Sequence, residues 1–200
     1  METVTANSKL EEMLAQVAAM HKHLCPRQVL GVRMGLYAAK ILGFEVPQKD
    51  KRLIAFVESD GCFADGVSAA TGCTLGHRTM RLVDYGKVAA ALVDSKTGRA
   101  VRLAPRDDVR KRAAAVAPDA PNRWQGQLQA YKLIADEEMF QVQDIAMNLD
   151  VTAIVGKPGI RVNCAVCGEE ILNQREVVQD GKALCRSCAG ESYWRVTEAQ

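Results

Sequence analysis

The sequence has little net charge, few aromatic residues and no long apolar run. Its 26 Lys and Arg residues against 24 Asp and Glu residues leave a formal charge of +2, so no strong overall field favours nucleic acid or an anionic membrane. No apolar stretch approaches the roughly 18 residues of a membrane helix, and the polar segment Met1–Ser8 lacks the features of a secretory signal. These absences predict a soluble, cytoplasmic protein with no membrane partner.

Cysteine is present instead, in seven copies, and an odd number cannot pair completely within one chain. Without a secretory signal, these thiols predict a reducing compartment in which cysteine serves metal binding or chemistry. The 200 residues, 48% of them hydrophobic, allow one domain of ordinary size and a small appendage.

Four of the cysteines form two CxxC pairs, Cys164–Cys167 and Cys185–Cys188, with 17 residues between them. Four thiolates at this spacing predict one tetrahedral Zn²⁺ site with Cys164, Cys167, Cys185 and Cys188 as ligands. A disulfide pairing is the alternative. A module of this size cannot bury a core of its own, so the zinc is expected to be structural and to supply folding free energy.

The residues around these pairs predict the type of zinc finger. Gly168 allows a positive φ that turns backbone amides toward the sulfurs. Ile171–Val178 reads as a strand, Asp180-Gly181 as a hairpin turn and Ala183-Leu184 as the return strand. A helix is expected over Arg186–Val196. A knuckle, a hairpin and a helix in this order predict a treble-clef zinc finger.

Periodicity and turn residues predict an α+β core domain with N-terminal helices and a small sheet. Gly31 and Gly35 lie on one face of the second helix, where another backbone can approach closely. The cluster formed by Arg106, Arg110, Lys111 and Arg112 is interpreted as a solvated face. The expected helices are Lys9–His23, Pro26–Gly43, Gly66–Ala70, Asp107–Ala117 and Asn122–Asp136, and the expected strands are Leu53–Glu58, Lys87–Val93, Arg99–Leu103 and part of Gln141–Val155.

The predicted domain boundaries follow from these elements. The core should span residues 1–155 and the treble-clef finger residues 163–200. The linker between them, residues 156–162, opens with Gly156-Lys157-Pro158-Gly159, which is a typical loop composition.

The remaining three cysteines and all three histidines fall in two short segments, His21 to Cys25 and Cys62 to His77. Pro26 suits the first position of a helix, so Cys25 should be the N-cap, where free amides and the helix dipole favour a thiolate. If one helix continues through His21 and His23, their two rings point in different directions. His23 and Cys25 are therefore the better pair, although a buried structural role remains the alternative for each cysteine.

Several segments resemble the signatures of the family of formylmethanofuran dehydrogenase E-subunits. His21–Pro26, followed by Gly31–Gly35, resembles the opening signature, and Asp60–Asp65 with Thr71–Gly76 resembles the second. Asp84–Lys87 resembles the third. With the C-terminal zinc finger, the resemblance covers nearly the whole chain. One departure is Arg27, because a small residue, commonly Gly, often follows the Cys-Pro in that family, and the pocket around Cys25 should differ in shape.

The resemblance implies an α+β core domain, a homodimer, an auxiliary treble-clef finger and a link to molybdenum or tungsten enzymes of one-carbon metabolism. We therefore expect an accessory protein that holds a second metal or a metal cofactor in a Cys/His pocket of the core. The ligands would be His23, Cys25, Cys62 and Cys73, with Asp65 in the same pocket and Thr71 and Thr74 around it.

Two other functions stay open. The first is a thiol-dependent enzyme in which Cys25 is the catalytic nucleophile or redox thiol, His23 the base, and Cys62 or Cys73 the resolving thiol. The second is a zinc-finger adaptor for protein or nucleic acid, although acidic residues offset the basic residues of the finger and disfavour nucleic acid.

Overall fold

The computed structural model describes residues 2–156 and 159–197. Lys157 and Pro158 of the predicted linker, and residues 198–200 of the predicted finger, lie outside these ranges. The chain divides into two compact units, Met1–Thr152 and Ala153–Gln200. Within the described residues, the helices all lack the combination of length and apolar content that crossing a bilayer requires.

The first unit is an α+β domain, which confirms the predicted fold class. Its helices are α1 (Glu2–His21), α2 (Pro26–Leu42), α3 (Cys62–Thr71), α4 (Val109–Val116), α5 (Arg123–Leu133) and α6 (Asp136–Met139). A further helix, α7 (Val151–Gly156), begins in this unit and ends in the second. Pro26 occupies the first turn of α2, and Gly43 ends that helix at φ 78°, as the sequence predicts. The short helix expected at Gly66–Ala70 instead begins at Cys62, which brings this cysteine to the helix N-terminus.

The sheet of this unit has five strands in the order β2-β1-β3-β4-β5. Strands β1 and β2 are parallel and are connected through α3, whereas the other neighbours are antiparallel. All five residues of β1 and of β3 are buried, so these strands form the centre of the core. The strands are β1 (Leu53–Val57), β2 (Met80–Leu82), β3 (Ala90–Asp94), β4 (Ala100–Pro105) and β5 (Phe140–Ile145).

Helices α2 and α3 pack against each other through small residues. A Cβ added to Gly31 would lie 2.2 Å from the Phe63 carbonyl oxygen and 3.0 Å from the Gly66 Cα, while a Cβ on Gly35 would lie 2.8 Å from the Ala70 Cβ. Gly31 thus meets an earlier part of α3 than Gly35 does, so α2 and α3 run in the same direction with their N-termini at the same end. The small face of α2 is thus used within the chain and gives no support to a dimer.

The second unit contains two short hairpins and one helical segment. Strands β6 (Arg161–Asn163) and β7 (Glu170–Leu172) flank the first CxxC pair, and β8 (Val177–Gln179) and β9 (Lys182–Leu184) precede the second. The single strand predicted over Ile171–Val178 is wrong, because Asn173 and Gln174 have positive φ and interrupt it. The helix predicted over Arg186–Val196 is also wrong in length, since it covers only Ser187–Glu191 and Gly190 has φ 103°.

Candidate functional site

The four cysteines of the second unit form a compact sulfur cluster. Their Sγ atoms lie within 4.8 Å of one another, and Cys167 Sγ is 3.9 Å from Cys185 Sγ. A tetrahedral zinc ion with Zn–S bonds of about 2.3 Å places its sulfurs about 3.8 Å apart. Soft sulfur ligands at this spacing fit Zn²⁺, and the set is Cys164, Cys167, Cys185 and Cys188.

Backbone amides support negative charge in this cluster. The Cys185 amide donates to Cys164 Sγ at 3.3 Å, and the Cys188 amide donates to Cys185 Sγ at 3.4 Å. Hydrogen bonds from the Cys167, Cys185 and Val166 amides lower the pKa of Cys164 to about 6. A hydrogen bond with the Cys185 side chain raises the pKa of Cys188 to about 12. The four thiols cannot all ionise together without a cation, which is the charge that Zn²⁺ supplies.

The apolar core around this cluster is small. The buried residues of its hydrophobic cluster are Cys164, Ile171 and Leu184. So small a core stabilises a fold weakly, and a bound metal adds its binding free energy to folding. Gly168 has φ 77°, and Asp180 and Gly181 both have positive φ, so the predicted turn residues do shape the knuckle and the hairpin.

A second pair of sulfurs lies where α2 and α3 begin. Cys25 is the N-cap of α2, at φ −121° and ψ 158°, and Cys62 is the first residue of α3. Burial, together with a hydrogen bond to the Cys25 side chain, raises the pKa of Cys62. The parallel packing of the two helices accounts for this contact, because it places both N-termini at one end of the helix pair.

Two histidines of the segment before Cys25 make contacts of their own near the start of α3. His21 Nε2 donates to Asp65 Oδ2 at 2.7 Å, which links the end of α1 to the first turns of α3. His23 Nδ1 donates to the His21 carbonyl oxygen at 2.9 Å, and the two rings are 6.1 Å apart. His21, which had no role in the predicted core site, is the direct partner of Asp65.

Cys73 departs from the expectation that it joins the core site. It follows the C-terminal end of α3, about 14 Å along the axis from Cys62 at 1.5 Å per residue. Its thiol is 1% exposed and donates to the Leu53 carbonyl oxygen at 3.3 Å. Thr71 and Thr74 also serve local turns, since their hydroxyls accept from the Cys73 and His77 amides. Cys73 is a packed core residue.

Gln28 is a site residue that the sequence argument missed. Its side-chain Oε1 accepts a hydrogen bond from the backbone amide of Cys25 at 2.7 Å. In return, the Cys25 side chain faces the backbone amide of Gln28. Gln28 is fully buried, and its Nε2 has no hydrogen-bond partner among the described residues. The spacing Cys-x-x-Gln, a capping box with cysteine in the place of serine, is the signal that identifies it.

The core thiols and histidines do not complete a metal cage by themselves. Among residues 2–156 and 159–197, the zinc-finger cysteines are the one set of three or more Cys, His, Asp or Glu side chains with converging donor atoms. In the core, the structure brings Cys62 close to the Cys25 side chain and to the Asp65 carboxylate.

Two family models match the chain. The model described as FmdE, molybdenum formylmethanofuran dehydrogenase operon, matches residues 20–141, which is more than half of the chain. The prokaryotic dksA/traR C4-type zinc finger matches residues 158–193 and includes the four-cysteine cluster.

Two known proteins are similar over almost the whole chain. A protein of Archaeoglobus fulgidus described as a probable S-adenosyl-L-methionine-binding protein is 32% identical over 96% of this chain, and the chain spans 56% of that relative. The crystal structure of a protein from Syntrophus aciditrophicus, described as similar to the FmdE component of tungsten formylmethanofuran dehydrogenase, superposes with a TM-score of 0.59. That likeness covers 93% of this chain and 95% of the other at 22% identity, and it shows the fold alone.

Proposed function

This chain belongs to the FmdE family, and we propose that its core binds a metal ion or a metal-containing cofactor as an accessory protein of a molybdenum or tungsten one-carbon enzyme. The observation that carries the proposal is the position of Cys25 and Cys62 at the adjoining N-termini of α2 and α3, where the two side chains are close enough to interact. The proposed site consists of Cys25, Cys62, His23 and Asp65, and it leaves out Cys73.

The two sulfurs are suited to a soft metal. Thiolate ligands favour zinc, copper(I) and iron–sulfur species over magnesium or calcium. The aligned N-termini of α2 and α3 add two sets of free amides and two positive dipole ends, which stabilise thiolates beside them.

The hydrogen bond of the His23 ring supports a role as a metal ligand. Ligating histidines usually donate the second ring nitrogen to a backbone carbonyl, which fixes the tautomer. The bond from His23 Nδ1 to the His21 carbonyl does this and leaves Nε2 as the nitrogen with a lone pair. Asp65 is held by His21 through one oxygen, so its other oxygen remains for a ligand or for a bound water.

The buried amide of Gln28 supports a ligand beside Cys25. An unpaired buried donor costs about 1–3 kcal/mol, and Gln28 Nε2 is one such donor among the described residues. The same amide group already accepts from the Cys25 backbone through Oε1. An acceptor atom of a bound cofactor would relieve this cost.

The link to molybdenum or tungsten enzymes is supported by the description of the matching family and by that of the structural neighbour. The name of the archaeal relative supports S-adenosylmethionine less directly, because this chain spans only about half of that protein. A homodimer and a cytoplasmic location are further parts of the proposal, and they rest on the family resemblance and on the cysteine usage.

The metal content of the anaerobically purified protein tests the proposal. After loading with Zn²⁺ and removal of excess metal, the parent chain should hold two ions, and molybdenum and tungsten should be measured in the same samples. Cys25→Ser and Cys62→Ser should each hold one ion. Cys73→Ser, which keeps a hydrogen-bond donor for Leu53, is the matched control and should hold two. One ion in the parent chain after loading contradicts the proposal.

The contact between Cys25 and Cys62 also favours a second candidate, a dithiol enzyme. The two thiols would form a disulfide while two electrons and two protons pass to a disulfide substrate, which is released as two thiols. Anaerobic incubation with a small disulfide distinguishes the candidates. Rapid formation of a Cys25–Cys62 disulfide that added Zn²⁺ does not slow favours the enzyme, whereas protection by Zn²⁺ favours metal binding.

A further inference from the structure

A cavity of about 410 Å³ opens beside Cys25 in the first unit. Three arginines and a tryptophan line it: Arg27 from the first turn of α2, Arg110 from α4, and Arg123 and Trp124 from the start of α5. None of the described residues that line it is a carboxylate. The wall of this cavity is therefore positively charged.

The three arginines have no protein counter-ion. Arg27, Arg110 and Arg123 are exposed, and none of them forms an ion pair with any residue that the structure describes. Two other arginines of this unit differ, since Arg33 is bound by Asp136 and Arg102 by Glu58. Uncompensated like charges around one cavity repel each other and are stabilised by an anion.

Arg110 and Arg123 also act on the same buried ring. Burial raises the pKa of Tyr131, and both guanidinium groups oppose that rise. The two arginines also line the same two cavities. A phosphate group can accept two parallel hydrogen bonds from each guanidinium, a geometry that a lysine cannot offer. The α2 N-terminus adds its dipole on the same side as Arg27.

Trp124 supplies a surface for a planar ring. Its side chain is 47% exposed although it lines the cavity, and an exposed indole face stacks well against a heteroaromatic base. A neighbouring cavity of about 360 Å³ shares Arg110 and Arg123 with the first and continues along apolar walls at Ala114 and Ala117. Together the two cavities have the volume of a small-molecule site.

We propose that the cavity beside Cys25 binds a nucleotide-like anion, with phosphate groups held by Arg27, Arg110 and Arg123 and a planar ring stacked on Trp124. This inference deepens the proposed function, because Cys25 lines the cavity and the anion would reach the metal site, but the arginines need no metal to act. The positive wall disfavours S-adenosylmethionine, whose sulfonium is a cation.

Calorimetry with simple probes tests the inference on the full chain. ADP and pyrophosphate should both bind. Adenosine should bind at least tenfold more weakly than ADP, and S-adenosylmethionine should also have a lower affinity than ADP. Added salt should lower the affinity for ADP but leave the affinity for adenosine unchanged. Equal affinity for ADP and adenosine, or preference for S-adenosylmethionine, would overturn the proposal.

Amino-acid substitutions test whether ADP binds in this cavity. Arg110→Ala and Arg123→Ala should each weaken ADP about tenfold, while Lys111→Ala, which removes the same charge from the next position of α4, should change affinity less than threefold. The chain has two tryptophans, so a Trp194→Phe background reports Trp124 alone, and ADP should change its emission. If Lys111→Ala and Arg110→Ala lower ADP affinity equally, the proposed site is refuted. Unchanged Trp124 emission on saturation with ADP would also refute it.

Cys62→Ser separates this inference from the metal proposal, because Cys62 belongs to the proposed metal site and is not among the residues that line the cavity. If this variant binds ADP with an affinity within threefold of the parent's and holds one metal ion fewer, both proposals are supported. Loss of ADP affinity together with the metal would mean that the metal holds the phosphates, and it would overturn the arginine site while leaving metal binding intact.

Discussion

Replacing Gly31 with alanine should loosen the helix pair that brings Cys25 and Cys62 together. The added Cβ would lie 2.2 Å from the Phe63 carbonyl oxygen and 3.0 Å from both the Gly66 Cα and the Val67 amide nitrogen. All three are backbone atoms, so no side chain can rotate away and α3 itself must shift. Overpacking of this kind costs about 3 kcal/mol at the upper end of its range, and the better helix propensity of alanine returns about 1 kcal/mol. The expected loss in the free energy of unfolding is therefore about 2 kcal/mol.

Thermal and urea unfolding, followed by circular dichroism under reducing conditions, measure this loss. For a unit of about 150 residues, 2 kcal/mol corresponds to a decrease in Tm of about 4–8 °C. Gly126→Ala in α5 is the matched control, because its nearest neighbour is the Ala120 Cβ at 3.3 Å, and it should be neutral or stabilising by up to about 1 kcal/mol. A Gly31→Ala chain as stable as Gly126→Ala would refute the close packing of α2 and α3.

Three other predictions follow from named contacts. The Cys164→Ser, Cys185→Ser double variant should lose one Zn²⁺ per chain and unfold the second unit while the first keeps its unfolding transition; full zinc retention would contradict this. Acidification should release that zinc, because protons compete for thiolates, and atomic emission after dialysis from pH 7 to pH 4 should show loss of the ion. Asp94, whose pKa the Arg52 guanidinium lowers to about 2, should stabilise the fold above pH 4 by about 2 kcal/mol. Because this contribution disappears as pH falls through 2, Asp94→Asn should destabilise the protein at pH 7 and match the parent near pH 2, and an equal difference at both pH values would exclude the linkage.

Local signals in the sequence predicted the zinc cluster and the main helices well. The CxxC spacing, Gly168 and Asp180-Gly181 each act within a few residues, so they do not depend on distant contacts. The same holds for Pro26 at the start of α2 and Gly43 at its end. Such residues act through backbone conformation, which the rest of the fold rarely overrides.

Several features that depend on tertiary contacts were not predicted. The three-residue strand β2 has too few residues to show alternation, and it exists because it pairs with β1. The choice of His21 as the partner of Asp65 depends on where α1 ends, and Lys22 with φ 60° turns the chain there. Cys62 was expected in a loop, since Gly61 and the small residues after it show no helical periodicity.

The cavity beside Cys25 was also not predicted from the sequence. Arg110 was interpreted as part of a solvated face because its neighbours in sequence are also basic. Arg27 and Arg123 are about 80 and 13 residues away from it, and only the packing of α2, α4 and α5 brings the three together. No local pattern encodes that convergence.

Cadmium-113 NMR of the anaerobically loaded chain tests the central claim most directly, because the chemical shift separates a four-sulfur site from a site with two sulfurs and harder ligands. The account predicts two signals of equal intensity in the parent chain, one for the zinc-finger cluster and one, shifted upfield, for Cys25 and Cys62. The upfield signal should disappear in Cys25→Ser and remain in Cys73→Ser. A single four-sulfur signal in the parent chain at saturating cadmium would contradict metal binding by the core.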